Sequence, residues 1–99
     1  MATPTKLYAV ITGDLVDSTH LPVGELEATR EALLRAVQEV KGWEEGLVLS
    51  KSEFFRGDGW QVLLGNPALA LRVAIFLRAS MRARGEVDSR FSIGIGTVD

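Results

Sequence analysis

The apolar and polar positions of this chain switch period several times, and each switch marks an element. Leu7 to Thr12 combines β-branched and aromatic residues on both alternating faces, Leu7, Ala9 and Ile11 against Tyr8 and Val10. That pattern predicts a central strand. From Pro22 or Glu25 to Lys41 the period becomes helical. Leu26, Leu33, Val37 and Val40 form one stripe, acids occupy the first turn, and Gly42 follows as a stop. Leu47 to Phe55 reads as a second strand with imperfect alternation, as at a bulge or an edge. Gly57-Asp58-Gly59 reads as a hairpin turn and Trp60 to Leu64 as the third strand. Asn66-Pro67 is a helix start, with Asn as cap and Pro at the first helical position. The second helix then runs from Pro67 to Arg84, with Gly85 after it. Leu69, Val73, Phe76 and Ser80 form a stripe that Leu71, Ala74, Leu77 and Met81 widen, so this helix calls for cover on more than one side. Arg90 to Val98 is the fourth strand, with Phe91, Ile93 and Ile95 on one face and Gly94 and Gly96 on the other.

The resulting order, β-α-β-β-α-β, predicts an α+β, ferredoxin-like split β-α-β sandwich. Four antiparallel strands in the order 4-1-3-2 would carry two helices on one face. Strand one then lies beside strand three and antiparallel to it. The end of the first and the start of the third share one end of the sheet.

Composition narrows the chemistry. Residues 1–99 make a single domain, and a fold of this size buries one modest core. There is no cysteine and only one histidine, His20, which excludes thiolate and multi-histidine metal sites. The net charge of −2 is interspersed, with no basic stripe for nucleic acid. No apolar run approaches a membrane span, and residues 1–6 lack an apolar secretory core, so a soluble cytoplasmic protein is expected.

The polar segment after the first strand is Thr12-Gly13-Asp14-Leu15-Val16-Asp17-Ser18-Thr19. The predicted topology brings Asp14 and Asp58 to one end of the sheet. Two carboxylates about 4 Å apart repel by roughly 4 kcal/mol at an effective dielectric of 20. A proton, an arginine or a divalent cation would offset this. Hard oxygen donors without histidine or cysteine favour Mg²⁺ or Mn²⁺. The start of the first helix and the hydroxyls of Ser18 and Thr19 would suit phosphate. Each feature also has an ordinary structural use: Asp in a glycine turn, Ser or Asp as a helix cap, Arg56 as a solvated hairpin charge.

At these residues the chain resembles the class III nucleotide cyclase catalytic domain. Asp14-Leu15-Val16-Asp17-Ser18-Thr19 is similar to that family's Asp-Ile-Val-Gly-Ser/Phe-Thr segment. Phe55-Arg56-Gly57-Asp58-Gly59 is similar to its Gly-Asp turn, and Phe91-Ser92-Ile93-Gly94-Ile95-Gly96 to its Arg-Ile-Gly-Ile-His strand. A closer likeness is to the SatD family, through Tyr8 to Asp14 and Gly57-Asp58-Gly59-Trp60-Gln61. The resemblance implies metal-binding aspartates at Asp14 and Asp58, and a triphosphate cradle along Leu15, Val16, Asp17, Ser18 and Thr19. There are departures. Asp17 stands where cyclases have glycine, and Phe54 where they have the base-selecting Lys or Glu. The transition-state Asn and Arg of that family lie beyond strand four.

The expectation is therefore a cyclase-like domain that binds a nucleoside triphosphate with a divalent metal, catalytically incomplete in this chain. It could be the N-terminal core of a longer protein. The alternative is a regulatory or interaction module that keeps the fold without the chemistry. An acylphosphatase-like enzyme fits less well, because Asp14 and Asp17 occupy the loop where an arginine is needed. An open, apolar sheet face points further to a homodimer.

Overall fold

The computed structural model describes residues 6–15, 22–49, 53–54, 59–84 and 88–97. Its long strands are β1 (Tyr8–Leu15), β3 (Gly59–Leu64) and β4 (Ser89–Gly96); a short β2 (Glu53–Phe54) precedes β3. The helices are α1 (Val23–Lys41) and α2 (Ala70–Arg84), the latter led in by a 3₁₀ turn, Pro67–Leu69. β1 is central, antiparallel to β3 on one side and to β4 on the other, and β2 lies beyond β3.

Alternation decides which face of each strand is buried. Ala9, Ile11 and Leu15 of β1 and Trp60, Val62 and Leu64 of β3 pack inward. Cross-strand pairing aligns them, Ala9 with Leu64, Ile11 with Val62 and Gly13 with Trp60. α1 closes this core with Leu33, Ala36, Val37 and Val40, and α2 with Ala70, Val73, Ala74, Leu77 and Met81. Both helices therefore cover the same face of the sheet. Its other face carries Tyr8, Val10, Thr12, Asp14, Gln61 and Leu63, all half-buried. Trp60, Val62 and Leu64 point into the core, so that open face is less apolar than the sequence suggests.

Several boundaries differ from expectation. β1 runs past Thr12 to Leu15, because both neighbours continue the ladder: Asp14 pairs with Gly59 and with Arg90, and Leu15 with Ser89. Asp14 is thus the penultimate residue of a strand. Among the described residues of the expected strand from Leu47 to Phe55, regular strand is found at Glu53–Phe54. Val48 forms an isolated bridge with Leu64, and Glu53 pairs with Gln61. Between these two pairings five steps along the chain face three, a register slip of two residues, which keeps the side chains on their original faces. Gly42 ends α1 with right-handed backbone, and the left-handed turn comes at Gly46, at φ 77°. Asn66 caps the following turn by accepting from the Ala68 N–H at 3.0 Å. In α2, Phe76 stacks edge-on against Trp43 at 5.1 Å. Leu71 and Ile75 point outward and are more than half exposed, so this helix is covered on one side and part of another only.

α2 is tied to the start of β4 by a two-pronged ion pair. Arg78 donates from Nε to Asp88 Oδ1 at 3.1 Å and from Nη2 to Oδ2 at 2.9 Å. Asp88 Oδ1 also accepts from the Ser89 N–H at 2.8 Å. The Arg78 guanidinium, helped by that N–H, holds the Asp88 carboxyl below its ordinary 3.8, at about 2. A carboxyl whose folded value is depressed stabilises above its unfolded value, and the contribution fades as pH falls from about 4 towards 2. Asp88→Asn should therefore be less stable than wild type in urea denaturation at pH 7, with the gap closing by pH 2. A gap independent of pH would show that Asp88 acts through something other than its charge.

Candidate functional site

The end of β1 is held by a small cluster. The Trp60 indole lies against Gly13. A Cβ at position 13 would meet the ring at 2.5 Å and the Arg90 carbonyl at 2.8 Å, closer than real Cβ atoms come. Phe91, paired with Gly13 from the other side, meets Trp60 edge-on at 4.8 Å and 76°. The buried indole N–H is satisfied by a serine. Trp60 Nε1 donates to Ser89 Oγ at 3.2 Å, and the Ser89 hydroxyl donates to the Asp14 carbonyl at 2.8 Å. Core packing and a polar relay thus fix the backbone of Asp14 from beneath.

The Asp14 side chain emerges on the opposite face, the one without helices. It is about half exposed and accepts from Arg90 Nε at Oδ1, at 3.1 Å. The two residues are direct cross-strand partners. An exposed pair of this kind contributes little to stability. Its importance is that an acid and a base share one wall of a shallow, open hollow of about 390 Å³, lined by Thr12, Gly13, Asp14, Arg90, Phe91 and Ser92. That volume suits the polar end of a small ligand.

Among the residues expected to bear function, Asp14 and Leu15 lie within the described part. Leu15 belongs to β1, pairs with Ser89 and buries its side chain in the core. Val16, Asp17, Ser18 and Thr19 lie outside the described residues, as do His20, Arg56 and Asp58. Asp58 directly precedes Gly59, the β3 residue paired with Asp14. Among the described residues no three His, Cys, Asp or Glu side chains cluster. Asp14 alone supplies one hard oxygen ligand, with the guanidinium of Arg90 as its present counter-ion.

Arg90, Ser89 and Trp60 were not singled out by sequence reasoning as parts of a site. Arg90 was within reach, since strand four antiparallel to strand one puts the start of the former beside the end of the latter. The Ser89 relay depends on the Trp60 rotamer and leaves no mark in the hydropathy pattern.

No protein-family model matches the chain, and no curated protein matches it by sequence. The likeness to the SatD family therefore rests on the sequence motifs alone. Solved structures do match. The guanylate cyclase domain of RhGC from Catenaria anguillulae, in complex with GTP, superposes at a TM-score of 0.65 with 19% identity. That match covers 96% of this chain and 59% of the cyclase domain, so the chain spans under two thirds of its length. A dimeric protein of unknown function and ferredoxin-like fold from Bacteroides fragilis matches at 0.62, with 10% identity over 93% of this chain and 95% of its own. A putative chlorite dismutase matches at 0.52, with 19% identity over 92% of this chain and 44% of its own. At these identities the likeness establishes an α+β fold of the ferredoxin-like, cyclase-like kind. Among the described residues, no helix is long and apolar enough to cross a membrane.

The Gly13–Trp60–Ser89 cluster makes a direct prediction. Ser89→Ala removes the partner of a buried N–H and should cost about 1–3 kcal/mol. Gly13→Ala should cost at least as much, because the ring has no room to move off a backbone methyl. Chemical denaturation measures both. Gly13→Ala at wild-type stability would mean that Trp60 does not lie over Gly13.

Proposed function

We propose that the chain is a cyclase-like domain that binds the polyphosphate of a nucleotide together with a divalent metal. The carrying observation is the placement of Asp14 on the open sheet face, opposite Gly59, in a fold shared with a GTP-bound guanylate cyclase domain. On this reading Asp14 and Asp58 hold Mg²⁺ or Mn²⁺, and residues Leu15 to Thr19 approach the phosphates. The motif likeness to the SatD and cyclase families supports the same residues. A divalent ion, when bound, neutralises phosphate charge and orients the chain of phosphates. Asp14 is suited to it as a hard, half-exposed oxygen donor that already faces a cation. Asp17 and Phe54, which depart from the cyclase pattern, argue for binding without turnover by these residues.

With Mn²⁺ and a nucleoside triphosphate at about ten times Kd, binding should stabilise the fold by about 1.4 kcal/mol. For a domain of this size that is a rise in Tm of roughly 6–11 °C. Asp14→Asn and Asp58→Asn should each remove the shift. An equal shift in wild type and both variants would place the ligand elsewhere. The same mixture should yield no cyclic nucleotide above a protein-free control.

A second reading, an interaction module that self-associates, is favoured by a separate surface. β4 is the outer strand beyond β1, and Ile93 and Ile95 on it are exposed beside Leu71 and Ile75 of α2. With Ala74, Arg78 and Phe91, three of these (Leu71, Ile75 and Ile93) line a mostly apolar hollow. A long apolar edge strand without a central charge is a pairing surface. Sedimentation equilibrium at micromolar concentration should show a dimer, and Ile95→Asp should shift it to monomer. Wild type at the monomer mass throughout would exclude the homodimer.

A further inference from the structure

Resting on the nucleotide-polyphosphate reading, we propose that Arg90 is an internal counter-ion that couples metal binding to phosphate binding. In the ligand-free chain its guanidinium occupies the Asp14 carboxylate. An incoming phosphate chain draws it off and leaves Asp14 for the metal.

Three observations carry this. First, the contact is built into the sheet. Asp14 and Arg90 are register partners in the β1–β4 ladder, and Arg90 Nε reaches Asp14 Oδ1 at 3.1 Å. The backbone beneath them is fixed by the Ser89 bond to the Asp14 carbonyl and by Trp60 and Phe91. Paired strand backbone thus sets the acid and the base side by side, and a change of partner falls to the long arginine side chain. Second, Arg90 is the basic side chain that lines this hollow. A guanidinium carries five N–H donors in a fork that matches phosphate oxygens. Its Nε–H serves Asp14, and the side chain is 77% exposed, so its outer edge faces solvent. Third, a divalent ion on Asp14 Oδ1 would meet that like charge at contact distance, so metal and guanidinium exclude each other there. A polyphosphate removes the conflict, because it offers the guanidinium a doubly charged partner and the metal further oxygen ligands.

The consequence is a coupling between two ligands at one site, which must be reciprocal. Metal alone competes with Arg90 and binds weakly. Phosphate relieves the competition, so each ligand raises the affinity for the other. Because the ion pair is exposed, the competition is modest, corresponding to about five-fold in metal affinity.

The test is calorimetric titration of Mn²⁺, alone and with a saturating non-hydrolysable nucleoside triphosphate, into wild type, Arg90→Gln and Arg90→Lys. Arg90→Gln should bind Mn²⁺ alone about five-fold more tightly than wild type. It should bind the triphosphate more weakly and lose most of the enhancement of Mn²⁺ affinity by triphosphate. Arg90→Lys should return both towards wild type, which a merely structural role would not do. Equal Mn²⁺ affinities in wild type and Arg90→Gln, with the enhancement intact, would sink the coupling while leaving the metal site standing. Failure of all three proteins to bind Mn²⁺ with or without triphosphate would overturn the nucleotide reading and this inference with it. Unchanged unfolding curves for the variants confirm that each titration reports on a folded chain.

Discussion

The contact between Trp60 and Gly13 is the constraint on which the rest of this structure turns. A bulky indole can lie in the middle of a three-strand ladder only if the residue beneath it has no side chain. Gly13 supplies that space, and Trp60 then fills the core between the sheet and the helices. The indole N–H has to be satisfied in the interior. Ser89 does so, and its own proton goes to the Asp14 carbonyl. One packing decision thus orders residues from β1, β3 and β4 at the same end of the sheet.

The placement of Asp14 follows from that arrangement. Strand alternation sends Gly13 and Leu15 towards the core and Asp14 to the uncovered face. The buried side is rigid because it is packed and hydrogen-bonded, and the exposed side is charged and open. This division suits a binding site: the carboxylate is positioned by groups it never touches through its own oxygens, and its partner Arg90 is largely exposed. On the proposed reading the weakness of the exposed ion pair is useful, since a strong one would not yield to a ligand.

Much of the fold was legible in the sequence. The helical stripe of Leu33, Val37 and Val40, the Asn66-Pro67 start and the order of elements all appear in the structure, because each is a local signal backed by burial. The length of β1 was not legible. Gly13-Asp14 reads by composition as a polar segment after the strand, and it is strand because two neighbours pair with it. Among the described residues of the segment from Leu47, Val48 makes only an isolated bridge and regular pairing comes at Glu53–Phe54; the register slip of two residues between them has no signature in hydropathy. In α2 the apolar excess at Leu71 and Ile75 signalled an exposed surface rather than a wider core. Of the candidate site, motif and topology together singled out Asp14, and the structure places it on the uncovered face beside Arg90. Arg90 was not singled out in advance, and the β1–β4 register identifies it as the cross-strand partner of Asp14.

The central claim is that ligand binds at the Asp14 end of the open sheet face. Backbone amide shifts under titration with magnesium and GTP test it most directly, because they report location as well as affinity. The account predicts saturable changes at Thr12, Gly13, Asp14, Arg90 and Ser92, with little at Leu71, Ile75 and Ile95. Changes confined to the α2–β4 surface, or none at millimolar ligand, would contradict it.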